Sequence, residues 1–314
     1  MKNNTLLLAI LCLFQFAGAQ RIFPGGEKYY RISSNAQALY NEKNYKGSAI
    51  LYDSLFQLYQ NKGNRYDKYD AACSWALTGN NDKAFYYLEQ AMMTKEWVNI
   101  PNLLSNTDLD DLHKDKRWPE LISNIELQNK KAEATLNNTL IAKLDTIFIK
   151  DQEDRGNINA TEERYGMQSK EIDSLWRKIH YEDSLNLKEV KKIIDTYGWL
   201  GPTVVGNQGA STLFNVIQHS DSSTQKMYLP LLRAAVEKGN ALPQNLALLE
   251  DRILVVDGKK QIYGSQVTTN SKGQASFFPI ADERNVNQRR ATVGLGPLED
   301  YAKYFGINYS LPKD

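Results

Sequence analysis

The chain has 314 residues, with 38 Lys and Arg against 37 Asp and Glu, a formal charge of +1 and two cysteines. Balanced charge with no basic tail or stripe argues against a nucleic-acid or anionic-membrane partner. The length suffices for two domains of ordinary size, and two thiols are too few for a disulfide framework, so packing must hold the fold.

Lys2, the apolar run from Leu6 to Phe16 and the small triplet Ala17-Gly18-Ala19 form a signal-peptide pattern, cleaved after Ala19. An exported product, periplasmic or extracellular, is expected. Nothing after Gln20 approaches the roughly 20 consecutive apolar residues of a spanning helix, so no transmembrane segment is expected. Cys12 lies within the apolar core after Leu11, which excludes lipidation, and cleavage leaves Cys73 as the single thiol. The tyrosines, 18 against 10 phenylalanines, suit packing surfaces with wet edges.

From 27 to 128 the spacing predicts short antiparallel helices. Their apolar faces are Ala36, Leu39 and Tyr40; Tyr45, Ala49, Tyr52 and Leu55; Tyr69, Ala72, Cys73 and Ala76; and Ala84, Phe85, Leu88 and Ala91. Asn-rich and Gly-containing turns separate them. Ala49 and Ala84 stand 35 residues apart in matching helices, and small residues there let helices approach closely. The stretch from Ala71 to Gly79, followed by Lys83-Ala84-Phe85 and Leu88, resembles the terminal unit of a tetratricopeptide array, and Asp108 to Leu112 with Trp118 and Leu121 resembles its capping segment. That resemblance implies a concave groove for a peptide or protein partner.

A second domain is expected over 132–314. One helix carries Leu136, Leu140, Ile141, Leu144, Ile147 and Phe148 on a stripe, and further helices follow around Ile172 to Ile179, Leu187 to Tyr197, Ala210 to Ile217, Met227 to Val236 and Leu246 to Leu249. Three β-prone runs, Ile253 to Val256, Gln261 to Val267 and Gln274 to Phe278, predict a small antiparallel β meander at about 253–279. The fold class is mainly α: a helix-pair scaffold plus a helical domain carrying that meander.

The second half also contains a conflict. At about 100° per residue, Gln152 and Arg155 continue the buried face of Ile141, Leu144 and Phe148. A buried guanidinium must meet a carboxylate or line a wet pocket. His219 and Asp221, in Gln218-His219-Ser220-Asp221, are candidates for a general base and the acid that orients it, Asp221 or another. Neither a third ligand at metal spacing nor a cofactor-binding motif accompanies them, so no metal and no cofactor are expected. Arg252, Tyr263, Gln266 and the pair Arg289 and Arg290 complete the candidate ligand-binding set with Gln152 and Arg155, the arginines suiting a carboxylate or phosphate.

In order, Asp151-Gln152 with Arg155, Gly198-Trp199, Gln218-His219 with Asp221, Asp251-Arg252, Gln261 with Tyr263-Gly264-Ser265-Gln266, and Arg289-Arg290 with Gly294-Leu295 are similar to the bacterial domain-of-unknown-function family 6624, from about 139 to 301. The resemblance implies no activity. The residues leave three functions open: an envelope binding or scaffold protein with a polar pocket in its second domain; a hydrolase or transferase acting on an anionic substrate through His219 and the arginines; or a purely structural polar network.

Overall fold

The computed structural model describes residues 26–93, 98–270 and 273–312. The signal-peptide segment lies outside them. The described chain is predominantly helical with one small antiparallel sheet, and it divides into two units. One comprises 26–135 together with 283–312, the other Leu136–Asp282. The expected second domain ran to the C-terminus; instead its last thirty or so residues pack with the first unit, because Val286 and Ala291 bury their faces and Tyr30 Oη donates to Asp300 Oδ2 at 3.0 Å.

In the first unit, α1 (Gly26–Asn41) and α2 (Tyr45–Leu58) pack together, as do α3 (Arg65–Ala76) and α4 (Asn81–Met92). Asn44, Asn64 and Asn80 cap α2, α3 and α4 by accepting from backbone N–H groups in each first turn. The apolar faces read from the sequence are the ones that meet: Ala36, Ala49, Ala72 and Ala84 are fully buried and admit Tyr52, Leu55, Phe56 and Leu88 between them. Burial pushes the Cys73 thiol well above its ordinary range, which makes it a packing residue. The short helices α5 (Ile100–Leu104) and α6 (Asp110–His113) and the longer α7 (Trp118–Glu133) complete this segment.

The second unit contains α8 (Asn138–Glu153), which a 3-10 turn at Arg155–Asn157 links to α9 (Ile158–Tyr165), then α10 (Lys170–Tyr197), α11 (Pro202–His219), α12 (Ser222–Glu237) and α13 (Pro243–Val256). Leu144, Val190, Ile193, Leu213, Phe214, Ile217, Leu232 and Leu249 form its core. No described helix is long and apolar enough to cross a membrane.

Two expectations need correction here. The two helices expected between 172 and 197 are one continuous α10, since neither Gly nor Pro interrupts it. The first meander run, Ile253 to Val256, is the last turn of α13. A short β-branched run continues a helix whenever its inward positions fall at helical spacing, as Leu249 and Ile253 do. What remains is a hairpin of β1 (Val267–Thr269) and β2 (Ala275–Phe277), with Val267 opposite Phe277, plus an isolated bridge between Gln261 and Ile280. Helices α14 (Val286–Thr292) and α15 (Leu298–Lys303) belong to the first unit.

Candidate functional site

The stripe of α8 does turn polar without leaving the interior. Leu144 and Ile147 are buried in the apolar core; one turn later Asp151 is buried too, and Arg155 is only 1% exposed. Of the two polar residues expected to extend this face, Arg155 lies deepest, and Gln152 sits to the side, its Nε2 donating to Asp151 Oδ2 at 2.6 Å.

Arg155 meets two acids. Its Nη2 lies 2.5 Å from Asp183 Oδ1 on α10 and 3.6 Å from Asp151 Oδ1. A buried guanidinium needs such partners, because desolvation of an unmatched charge costs several kcal/mol. Outside this centre, Lys178 pairs with Asp154 at 2.8 Å and Lys143 with Glu189, fixing α8 against α10.

The third element is α11, which ends at His219. Its Nδ1 lies 2.9 Å from Asp151 Oδ1, with both side chains almost wholly buried. Asp151 has no proton to give in its ionised state, so Nδ1 carries the hydrogen, and in the neutral ring Nε2 is the acceptor. No described residue hydrogen-bonds Nε2. The backbone on either side of the histidine is held by Gln225, whose Nε2 donates to Gln218 O at 2.9 Å and Ser220 O at 2.8 Å.

The two carboxyls are driven apart. Burial raises Asp151, but the His219 hydrogen bond, the charges of His219 and Arg155 and the Gln152 amide outweigh it and hold the group below its ordinary value. Burial also raises Asp183, and there Arg155 and His219 offset it only in part, so its value stays up. Asp151 is therefore the committed anion that orients His219, and Asp183 is the acid that takes a proton more readily.

Asp221, expected as the orienting acid, does not face His219. Ser220 is extended and ends α11, and Asp221 opens α12 as its cap, accepting from Thr224 N at 3.0 Å, Thr224 Oγ1 at 2.8 Å and Ser223 Oγ at 2.5 Å. The Ser223 and Thr224 hydrogen bonds hold its carboxyl far below the ordinary range.

The third ligand that spacing did not reveal is present in space. Donor atoms of Asp151, Asp183 and His219 all lie within 4.8 Å of one another, close enough to share a divalent cation. Arg155 already supplies a positive charge to the same two carboxylates, so these residues are built around an internal cation.

Tyr263 and Gln266 meet Asp251 and Gln261 through their backbone N–H groups, and Gln266 Nε2 also donates to Ser265 Oγ at 3.1 Å. Asp251, fully buried on α13, accepts from Ile262 N at 2.6 Å, Tyr263 N at 3.0 Å and Ser265 N at 3.0 Å. Gln266 N donates to Gln261 Oε1 at 2.8 Å, and Gln261 Nε2 donates to Gln266 O and Phe278 O. This network moors the 261–266 loop to α13. Arg252 follows Asp251 on the helix and is half-buried. Burial lowers its pKa, and the charge of Arg155 lowers it further.

Arg289 and Arg290 lie in the first unit, whereas Arg155 and His219 lie in the second. Arg290 is buried there, its Nε donating to Gly296 O at 2.6 Å and its guanidinium lying 5.0 Å from the Tyr301 ring centre. Asp183 is the member that the sequence analysis missed.

A family model for a family of unknown function, DUF6624, matches residues 150–313, more than half of the 314-residue chain, and the chain belongs to that family. No curated protein and no solved structure matches it.

Proposed function

We propose that this member of the DUF6624 family is an exported enzyme, a hydrolase or transferase acting on an anionic substrate, with His219 as its acid–base group. The buried pair of His219 Nδ1 and Asp151 Oδ1 at 2.9 Å carries the proposal. An imidazole fixed through one nitrogen by an ionised acid presents the other for proton transfer, a contribution of about 10²–10⁴ in rate. In hydrolysis, Nε2 takes a proton from the attacking water as its oxygen bonds to the substrate, then returns that proton to the departing group as the old bond breaks. Arg155 is a positioning residue, since it reaches the chemistry only by holding Asp151 and Asp183. A purely structural role fits Arg155 and Asp251 but leaves Nε2 and the Arg252 guanidinium unused.

The first unit supports a second role beside this one. Its paired helices, with Ala49 and Ala84 fully buried at matching positions, suit a tetratricopeptide-like scaffold that presents a groove to a peptide or protein partner in the cell envelope.

The test uses full-length protein, a panel of anionic esters and phosphoesters, and the variants His219→Gln and Asp151→Asn. Turnover of at least one substrate by the wild type, falling at least 100-fold in His219→Gln, is expected. Long-range ¹H–¹⁵N spectra should show His219 protonated on Nδ1, with that preference lost in Asp151→Asn. Equal turnover by wild type and His219→Gln, or a histidine found as the Nε2–H tautomer, would refute the assignment.

A further inference from the structure

The two acids share Arg155 unequally. Its Nη2 hydrogen-bonds Asp183 Oδ1 at 2.5 Å but stands 3.6 Å from Asp151 Oδ1, beyond hydrogen-bond length. Yet Asp151 is its neighbour one helical turn back, whereas Asp183 comes from another helix. The Asp151 oxygen that the guanidinium leaves alone is the one that meets His219 Nδ1 at 2.9 Å. These contacts lie in a dry place: the side chains of Arg155, Asp151 and His219 are almost wholly buried, and Asp183 is the most exposed of the four at 18%. A guanidinium and a carboxylate one turn apart in such a place would close on each other if nothing else held the guanidinium, because an unmatched buried charge is costly.

We infer that Asp183 is a positioning residue: it draws Arg155 away from Asp151 and so reserves the Asp151 carboxylate for His219. The functional meaning rests on the acid–base reading of His219, and the geometry does not. The charges in contact give the reason. Two carboxylates meet one guanidinium, which leaves one negative charge beside the imidazole. A proton taken up by His219 brings these four groups to neutrality together. With Asp183 gone, Arg155 and Asp151 would cancel, and the same proton would arrive as an unmatched charge in a desolvated site. The remaining charged groups of the surrounding elements are engaged elsewhere or lie beyond contact. On α10, His180 Nδ1 is 4.0 Å from the other Asp183 oxygen, Oδ2, which leaves Oδ1 to Arg155. On α8, Asp154 pairs with Lys178. On α12, Asp221 serves as the cap, and Gln225 holds the backbone beside His219 without a charge. On α13, Arg252 is half-buried and feels the Arg155 charge.

The experiment follows the His219 ring nitrogens of full-length protein by long-range ¹H–¹⁵N spectra across pH, in wild type, Asp183→Leu and the double variant Asp183→Leu/Arg155→Leu. In Asp183→Leu the pH at which His219 takes its second proton should fall by about one unit or more, a tenfold weakening of the imidazolium. The double variant again leaves one negative charge beside the ring, and it should recover more than half of that shift. Asp183→Asn, which keeps the shape and removes the charge, should move in the same direction and serves if the Leu variant does not fold. On a substrate that the wild type turns over, kcat should fall at least fivefold in Asp183→Leu with KM within about twofold, and recover in the double variant. A residue that only ties α10 to α8 would lower the unfolding midpoint and leave the His219 titration where it was. An unmoved titration in Asp183→Leu and Asp183→Asn, or a double variant shifted as far as the single one, would overturn the inference. A compensated shift in a protein that turns over nothing would remove the acid–base reading and leave the role of Asp183 standing. Turnover lost in His219→Gln, with a titration indifferent to Asp183, would do the reverse.

Discussion

Replacing Arg155 with Leu removes a cation that Asp151 and Asp183 share. The side chain is 1% exposed, Asp183 lies 2.5 Å from it, and both carboxylates face the interior. Breaking a buried pair by deleting one partner costs about 3–5 kcal/mol, because the surviving charge stays desolvated. The loss should depend on pH with a definite sign. Without the guanidinium Asp183, already raised in the folded state, rises further, and Asp151 loses one of the charges that hold it down. A raised folded value means stability that is complete below the ordinary carboxylate range, roughly pH 4, and lost as pH climbs through the raised value. The variant should therefore be several kcal/mol weaker than wild type at pH 7 and much closer to it near pH 4. Adding Asp183→Leu removes the raised acid, and the double variant should recover more than half of the loss. Urea unfolding, with hydrogen exchange resolved to peptides of α8 and α10, reads this unit separately from the other. A loss below about 1 kcal/mol at pH 7, or one equal at both pH values, would refute the account of Arg155 as the buried counter-ion.

Gly206 sits within α11 at φ 70° and ψ 170°, a backbone region open essentially to glycine, with no heavy atom within 4 Å of the position a Cβ would take. Gly206→Ala should thus cost about 1–3 kcal/mol from backbone strain alone, measured as a lowered unfolding midpoint. Asp221→Ala removes the α12 cap and should cost about 1 kcal/mol at pH 7. Because the Asp221 carboxyl is depressed on folding, its contribution is present above the ordinary carboxylate range and disappears as pH falls through the depressed value, so wild type and variant should converge in acid. The same variant should leave the His219 Nδ1–H signal in place, since Asp151 and not Asp221 holds that ring.

How much of the site could be read from sequence depended on whether a residue's conflict with its surroundings was local. Arg155 stood out because a charge continued the apolar stripe of its own helix. Asp183 carries the same mark: it falls on the face of α10 that buries Ile172, Ile179, Val190 and Ile193, but dividing α10 into two helices left it in an apparent gap. Asp221 misled for the opposite reason. A single residue separates it from His219 in the chain, yet that residue, Ser220, is extended, and an acid just after a helix end is ordinarily the cap of the next helix. The α13 error was one of type, since four apolar residues fit the end of a helix as well as a strand. Arg289 and Arg290 could not be placed at all, because nothing in a local pattern says that the chain's last segment packs with its first helices.

One rule connects what was legible to what was not. A buried charge requires a counter-charge, so the conflict at Arg155 already implied an acid on some facing element, and Asp183 is the acid that a second apolar stripe carries inward.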